Sequence, residues 1–105
     1  MQPFNINDIS KLSNMFSVLG DQNRLSIVLF LLNGDQNVGT ISDRLCLSQS
    51  LVSHQLRALR DAGITKSKKN GKSVIYSIND EHIYQIIEMG IAHINHKGEE
   101  YGENK

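Results

Sequence analysis

The chain has 105 residues, enough for one small domain that buries a modest fraction of its surface on folding, so a dimer would relieve the shortage of core. Eleven basic and eleven acidic side chains cancel, and the single cysteine excludes an internal disulfide, a zinc ribbon and a CxxC redox motif. The longest aliphatic and aromatic run, residues 27–32, is too short to span a bilayer, which predicts a cytoplasmic protein with no membrane partner.

Two helices are predicted in the first third of the chain. Apolar residues recur at helical spacing over residues 8–19 and again over residues 22–33, and Asp21 can cap the second of these helices. We assign the inner face of the second helix to Leu25, Val28, Leu29 and Leu32. The stretch from residue 35 to residue 39 is expected to be a loop.

The middle of the chain has the spacing of a helix-turn-helix. A short helix is predicted over residues 38–46 and a longer one over residues 49–62, separated by a tight turn in which Ser48 can cap the second helix. In a DNA-binding helix-turn-helix the second helix reads the DNA, so we call the helix over residues 49–62 the DNA-reading helix. Its buried side is predicted to carry Val52, Leu56 and Leu59.

Two β-prone stretches follow, joined by the dipeptide Asn70-Gly71, which strongly favours a hairpin turn. A hairpin over residues 64–78, directly after a DNA-reading helix, is a wing. Residues 1–105 are therefore predicted to form a single winged helix-turn-helix domain of the α+β class, mainly α with a β-hairpin wing.

A last helix is predicted over residues 81–96, capped by Asn79 or Asp80. Residues 97–105 are charged and contain glycine, so we expect a disordered tail.

The charges are unevenly distributed, although they cancel overall. Between Arg44 and Lys72 there are seven basic residues and one acid, a local charge of +6 that attracts phosphate over a Debye length of about 8 Å. A solvated charged face is the alternative, but the outer side of the DNA-reading helix also carries hydrogen-bonding side chains suited to base edges and phosphates. The predicted contacts to double-stranded DNA are Gln49, Ser50, Ser53, His54, Arg57, Lys68, Lys69 and Lys72.

Three of the four histidines lie in the last helix, and with Asp80 they are candidate metal ligands. His82 and His93 are eleven residues apart, or about 16 Å along a helix axis, so one helix cannot bring both to one ion. His93 and His96 are close enough to share an ion, and Asp80 with His82 can supply two further ligands.

A homodimer resolves this geometry. If the last helices of two subunits pack antiparallel across a twofold axis, each site takes one pair of ligands from each subunit. We expect the apolar residues Ile83, Ile87, Ile91 and Ile94 to seal that interface.

The chemistry of the candidate ligands limits which metal ions can bind. Three imidazoles and a carboxylate without thiolate suit Zn(II) and also Co(II), and nickel remains possible if the tails add ligands. Four protein ligands leave no open position for catalysis, so we expect neither an enzyme nor a small-molecule substrate.

The stretches FSVLGDQNRLSIVLFLL, LSQSLVSHQLRALRDAGI and KNGKSVIYSINDEH, followed by the histidine helix, resemble the ArsR/SmtB family of bacterial metal-sensing repressors over nearly the whole chain. The likeness is greatest to the CzrA-type zinc and cobalt sensors of that family, whose ligands match Asp80, His82, His93 and His96. The resemblance implies an apo dimer that represses metal efflux or detoxification genes from an inverted-repeat operator and is released by metal.

Two departures from the family pattern matter. The Cys-x-Cys motif of the thiolate sensors would fall near residues 37–41, where this chain has no cysteine. Cys46 stands where relatives often have glycine, in a left-handed turn that costs other residues about 1 kcal/mol, and we interpret it as structural rather than as a redox switch. The alternatives are a winged-helix regulator that responds to nickel or redox with a structural histidine helix, and an unregulated zinc dimer.

Overall fold

The computed structural model of the protein describes residues 4–96 in full and the helical backbone of residues 97–103. The elements in chain order are α1 (Ile6–Leu19), α2 (Gln22–Leu31), β1 (Gln36–Asn37), α3 (Val38–Leu45), α4 (Gln49–Asp61), β2 (Thr65–Asn70), β3 (Ser73–Ile78) and α5 (Glu81–Glu103). Helix α5 continues past the expected end at residue 96, and the expectation of a disordered tail over residues 97–105 lies outside the residues described in full. No helix in the described part of the chain is long and apolar enough to cross a membrane.

Side-chain caps fix where four of the helices begin. In each case a side-chain oxygen of the capping residue accepts a hydrogen bond from the backbone N–H three residues further on, a donor that has no partner inside the helix. The cap at Asn5, bonded to the N–H of Asp8 at 2.7 Å, explains why α1 starts before residue 8. The four caps are Asn5, Asp21, Asn37 and Ser48, of which the second and the last were predicted.

A three-stranded antiparallel sheet replaces the simple hairpin. The strand order is β1-β3-β2, and β1 pairs Gln36 with Tyr76 and Asn37 with Ile75. The prediction of a loop over residues 35–39 was therefore wrong at Gln36–Asn37. A strand of two residues shows no alternation of its own and forms only because β3 offers it a free edge.

The core lies where α2, α3, α4 and the start of β2 meet. Val52, Leu56 and Leu59 are fully buried, which confirms the predicted inner side of α4. The inner face assigned to α2 was partly wrong, because Ile27, Val28 and Leu31 are the buried residues and Leu29 is exposed. Helix α2 is apolar on nearly all sides, so helical spacing alone does not single out one face.

The turn between α3 and α4 has the left-handed backbone that was expected at Cys46, with φ 57° and ψ 43°. The turn is closed by a bond from the N–H of Leu47 to the carbonyl of Ser42, and the Ser42 hydroxyl donates to the carbonyl of Leu47. The Cys46 thiol is free and exposed, so its side chain lies outside the core.

Candidate DNA interface and metal centre

Helix α4 separates a buried side from a polar, exposed side. The predicted contacts on this helix all lie on the exposed side: Gln49, Ser50, Ser53, His54 and Arg57. The cap at Ser48 leaves the first turn of α4 at the surface, where free backbone N–H groups and short polar side chains are suited to a phosphate or a base edge. The structure thus brings together the five predicted contacts of this helix.

The wing, β2 and β3 with the turn between them, carries the other three predicted contacts on its surface. The antiparallel register pairs Lys68 with Ile75 and Lys69 with Val74. Because successive side chains of a strand point to opposite faces, Lys68 and Lys69 leave the hairpin on opposite sides. Lys72 lies in the turn after Gly71, whose φ of 66° is the left-handed conformation that glycine favours.

Helix α4 is also held by a polar contact that the sequence analysis missed. Gln55 is only 7% exposed although it is polar, and its Oε1 accepts a hydrogen bond of 3.0 Å from Nη1 of Arg24 on α2. The same guanidinium donates from Nε to the carbonyl of Val18 on α1, at 2.7 Å. The signal available in the sequence was a glutamine at a core position of the α4 pattern, between Val52 and Leu56.

The first candidate pair of metal ligands is already together at the start of α5. Oδ1 of Asp80 accepts a bond of 2.9 Å from the backbone N–H of His82 and lies 3.2 Å from Nδ1 of the His82 ring. Both side chains are open to solvent, at 48% exposure for Asp80 and 81% for His82. A carboxylate and an imidazole at this distance suit two positions of a divalent cation site.

The second pair, His93 and His96, is exposed further along α5 and borders a shallow apolar groove with Phe16 of α1. At 100° per residue, His82, His93 and His96 lie within about 60° of one another around the helix. Met89 lies in the same stripe and is 71% exposed. We call this side of α5, which carries His82, Met89, His93 and His96, the ligand stripe.

The two pairs do not meet within one protomer. Among the residues described, no group of three or more histidine, cysteine, aspartate or glutamate side chains is close enough to hold a metal ion. The imidazole and carboxylate donors fit Zn(II) or Co(II). Each pair is exposed, so a second protein molecule can supply the remaining ligands.

Large apolar side chains are exposed along α1 and in the middle of α5. On α1 they are Ile6, Ile9, Leu12 and Phe16, and on α5 they are Met89, Ile91 and Ile94. The prediction that four isoleucines of α5 seal a dimer was wrong for two of them. Ile83 is 5% exposed and belongs to the core, and Ile87 packs against that core, because one apolar stripe of α5 serves the protomer first and continues beyond it.

Comparison with known proteins gives the following matches. Residues 21–67 match the profile of the family described as bacterial regulatory protein, arsR family. The HTH-type transcriptional regulator NmtR of Mycobacterium tuberculosis is 32% identical over 94 residues, covering 90% of this chain and 78% of NmtR. A cadmium resistance transcriptional regulatory protein, the CadC homolog of Staphylococcus aureus, is 37% identical over 87 residues, covering 82% of this chain and 69% of that protein.

Solved structures of related proteins have the same fold as this chain. The solution structure of apo-NmtR superposes with a TM-score of 0.76 at 31% identity, covering 91% of this chain and 81% of that one. A homodimeric winged helix-turn-helix DNA-binding domain from Mycobacterium bovis gives a TM-score of 0.80 at 18% identity, covering 96% and 95% of the two chains. These likenesses confirm the predicted winged helix-turn-helix class.

Proposed function

This chain belongs to the arsR family of bacterial regulatory proteins, and we propose that it is a metal-responsive repressor that works as a homodimer. In this proposal the apo dimer binds an inverted-repeat operator and leaves it when Zn(II) or Co(II) binds, which would control metal efflux or detoxification genes. The family consists of regulators, which confirms that the chain is not an enzyme. The observation that carries the metal-responsive part is the division of the four candidate ligands into two exposed pairs, one at the start of α5 and one further along it.

Operator binding is assigned to α4 and the wing. Their exposed surface carries the excess of basic side chains, and the predicted contacts are at the surface. We assign Arg57, Lys68, Lys69 and Lys72 to phosphates, which fix position, and Gln49, Ser53 and His54 to base edges, which carry sequence information, with Ser50 beside them. In a homodimer the two copies of α4 would enter successive turns of the major groove.

Homodimerisation is supported by the apolar faces of α1 and α5, which a protomer leaves in water. An apolar groove of about 310 Å³ runs between these helices and α2, lined by Phe16, Leu25, Leu29, Ile91 and Ile94 among others. Exposed apolar surface of this extent is typical of a protein interface. The Mycobacterium bovis domain, which has the same fold, is homodimeric, and this supports a dimer for the present chain as well.

The spacing of the ligand stripe favours an antiparallel dimer. A twofold axis that places His82 opposite the midpoint of His93 and His96 passes near residue 88, within one residue of Met89. Gly90 lies beside this point, and a Cβ there would meet nothing within 4 Å, so a second helix can approach. The exposed Met89 side chains would then meet at the axis, with a site on either side.

Asp80, His82, His93 and His96 would hold the ion, the first two from one subunit and the last two from its partner. When bound, Zn(II) or Co(II) supplies four coordinate bonds that cross-link the two last helices. The relative named for cadmium resistance supports a metal effector.

A short connection joins the first ligand pair to the DNA-reading helix. Asn79 precedes Asp80, and its backbone N–H donates to the carbonyl of Ile64 at 3.0 Å while its Nδ2 donates to the carbonyl of Gly63 at 3.1 Å. Both acceptors lie in the turn that follows α4. Any preference of the ligands for one dimer arrangement is thus passed to α4, and reciprocity requires operator DNA to weaken metal binding by the same factor.

A mixed dimer tests the shared site. One subunit carries Asp80→Ala and His82→Ala, the other carries His93→Ala and His96→Ala, and the two are separated by different affinity tags. Each homodimer should bind no zinc tightly, whereas the mixed dimer should regain one zinc per dimer, since one of its two sites has all four ligands. His54→Ala, which removes the histidine outside α5, is the matched control and should keep two. Mixed dimers without zinc would rule out the shared site.

Operator titration tests the regulation. Fluorescence anisotropy on an inverted-repeat duplex should show release by zinc and cobalt. Release by nickel alone, or by oxidation alone, would establish the alternative regulator, and tight zinc binding with unchanged DNA affinity would establish an unregulated zinc dimer.

A further inference from the structure

Arg24 connects three helices through one side chain. Its backbone N–H is part of the cap of α2, bonded to Oδ2 of Asp21 at 3.1 Å, which holds the residue in the first turn. From there the guanidinium donates in two directions, from Nε to the carbonyl of Val18 and from Nη1 to Oε1 of Gln55. The first acceptor belongs to α1 and the second to α4.

The contact with α1 is made at the end of that helix. Val18 is the next-to-last residue of α1, so no backbone N–H inside the helix donates a hydrogen bond to its carbonyl. Most other apolar side chains of α1 are exposed, whereas Met15, Val18 and Leu19, all near the C-terminal end of the helix, pack on the core. The orientation of α1 on the protomer is therefore fixed largely at the end that Arg24 binds.

The contact with α4 is made on its buried side. Gln55 lies among the core residues of α4, and loss of a buried hydrogen-bond partner costs more than loss of an exposed one. The bond therefore restrains α4 from the side opposite to its DNA-reading surface.

We propose that Arg24 is a positioning residue that fixes the angle between α1 and α4, and thereby the separation of the two DNA-reading helices in the dimer. This inference rests on the proposed homodimeric operator binding. Since α1 lies in the proposed interface, an angle set within each protomer determines how far apart the two copies of α4 stand. Arg24 then selects operators by the spacing of their half-sites without touching DNA.

The guanidinium is required because it holds two donors in a fixed, divergent plane. A lysine at this position keeps the charge but offers one flexible ammonium, which does not reproduce two bonds in fixed directions. Arg24→Lys is therefore a sharp test, since net charge and attraction to phosphate stay the same.

The experiment compares operators that differ only in spacing. A duplex selected from random sequence supplies the preferred inverted repeat, and two further duplexes carry one base pair more and one fewer between the half-sites, which turns one half-site by roughly 35°. The measured quantity is the ratio of affinities for the preferred and altered spacings. A single half-site duplex is the internal reference for correctly folded protein.

Arg24→Lys and Gln55→Met are expected to lower this ratio by roughly tenfold, near the lower limit for a hydrogen bond with a charged partner. The double variant should lose no more than Arg24→Lys alone, since both substitutions break the same link from α1 to α4 through Arg24. Gln55→Glu, which keeps an acceptor for Arg24, should retain the ratio. Ser26→Ala is the matched control on α2, where the hydroxyl bonds only within the helix to the carbonyl of Gln22, and it should also retain the ratio.

An equal loss of affinity for all duplexes, with the ratio unchanged, would mean that Arg24 only stabilises the fold and would overturn the inference. A wild-type protein that binds no operator, or prefers no spacing, would overturn the inference too, but the first of these results would refute the proposed function as well.

Discussion

The DNA-reading half of the molecule buries its apolar side chains within one protomer, whereas the outer helices leave theirs exposed. We call the first the complete half and the second the incomplete half. The helix-turn-helix with its sheet has a core in which Ile41, Leu56 and Ile64 are fully buried. Helix α1 and the middle of α5 leave residues such as Leu12 and Met89 in water, and the candidate metal ligands remain in two separate pairs. One chain is thus sufficient to build a surface for DNA, whereas the proposed metal site and the proposed dimer face each need a second copy.

The largest effect is expected from Leu56→Ala, in the complete half. Removal of a fully buried leucine costs about 2–5 kcal/mol of unfolding free energy, because it leaves a cavity as well as less apolar burial. Denaturant unfolding should show the loss, while sedimentation at temperatures where the variant is folded should show an unchanged dimer. A weakened dimer would break the distinction between the two halves.

Met89→Asp should give the opposite pattern in the incomplete half. The side chain is exposed in the protomer but buried at the proposed axis, where an unpaired carboxylate should raise the dimer dissociation constant by at least about 100-fold. Sedimentation equilibrium measures this change. Asn95→Asp adds the same charge about 120° away around α5 and should leave the dimer intact, so equal effects of the two variants would place the interface elsewhere.

Arg57→Ala and Lys72→Ala should weaken DNA binding without altering the dimer. If each side chain neutralises one phosphate, each variant removes two such contacts from the complex of the dimer with its operator and should reduce the slope of log affinity against log salt by about two. Anisotropy titrations over a series of salt concentrations give the slopes. Lys11→Ala, on α1 and outside the basic segment, should keep the wild-type slope, and a reduced slope for this control would show that the outer helices also contact DNA.

Thr65→Val should leave the free energy of unfolding unchanged or raise it by up to ~1 kcal/mol. The Oγ1 atom of Thr65 is buried and has no hydrogen-bond partner among the described residues, so a methyl group removes an unfavourable polar atom. Ser42→Ala is the contrast, since its nearly buried hydroxyl donates to the carbonyl of Leu47 and its loss should cost about 1 kcal/mol. Thermal unfolding of both variants checks the difference in sign.

The smallest effect is expected on the exposed side of α5 that faces away from the ligand stripe. The hydrogen bond of the Tyr84 hydroxyl to Glu88, at 2.8 Å, and the charge of that carboxylate raise the pKa of Tyr84 above 10.0. The bond therefore contributes below pH 10.0 and is lost as the pH rises through the raised pKa. Glu88→Gln should lower the pKa in an alkaline titration of tyrosine absorbance, and an unchanged titration would contradict the contact.

Spacing along the chain was enough to predict the parts of the fold that stand alone. The phase of Val52, Leu56 and Leu59 gave the buried side of α4, and Asp21 and Ser48 gave two helix starts. The pairing of β1 was beyond such reasoning, because it depends on a partner strand nearly forty residues away.

The candidate site was predictable by residue type but not by surroundings. An isoleucine stripe on α5 indicates burial, yet the spacing does not say whether the protomer or a second copy covers it, so Ile83 was assigned to the wrong partner. The link from Arg24 to Gln55 joins residues on different helices, and no local pattern marks it.

The alternation of side chains along β2 has a consequence for how the wing meets DNA. With Lys68 on one broad face and Lys69 on the other, the hairpin resembles a blade that is positive on both sides. The minor groove is narrow and has a phosphate rim along each edge. If the wing enters this groove edge-on, Lys68 and Lys69 would face phosphates of different strands, so the wing would contact both strands of the duplex and not one.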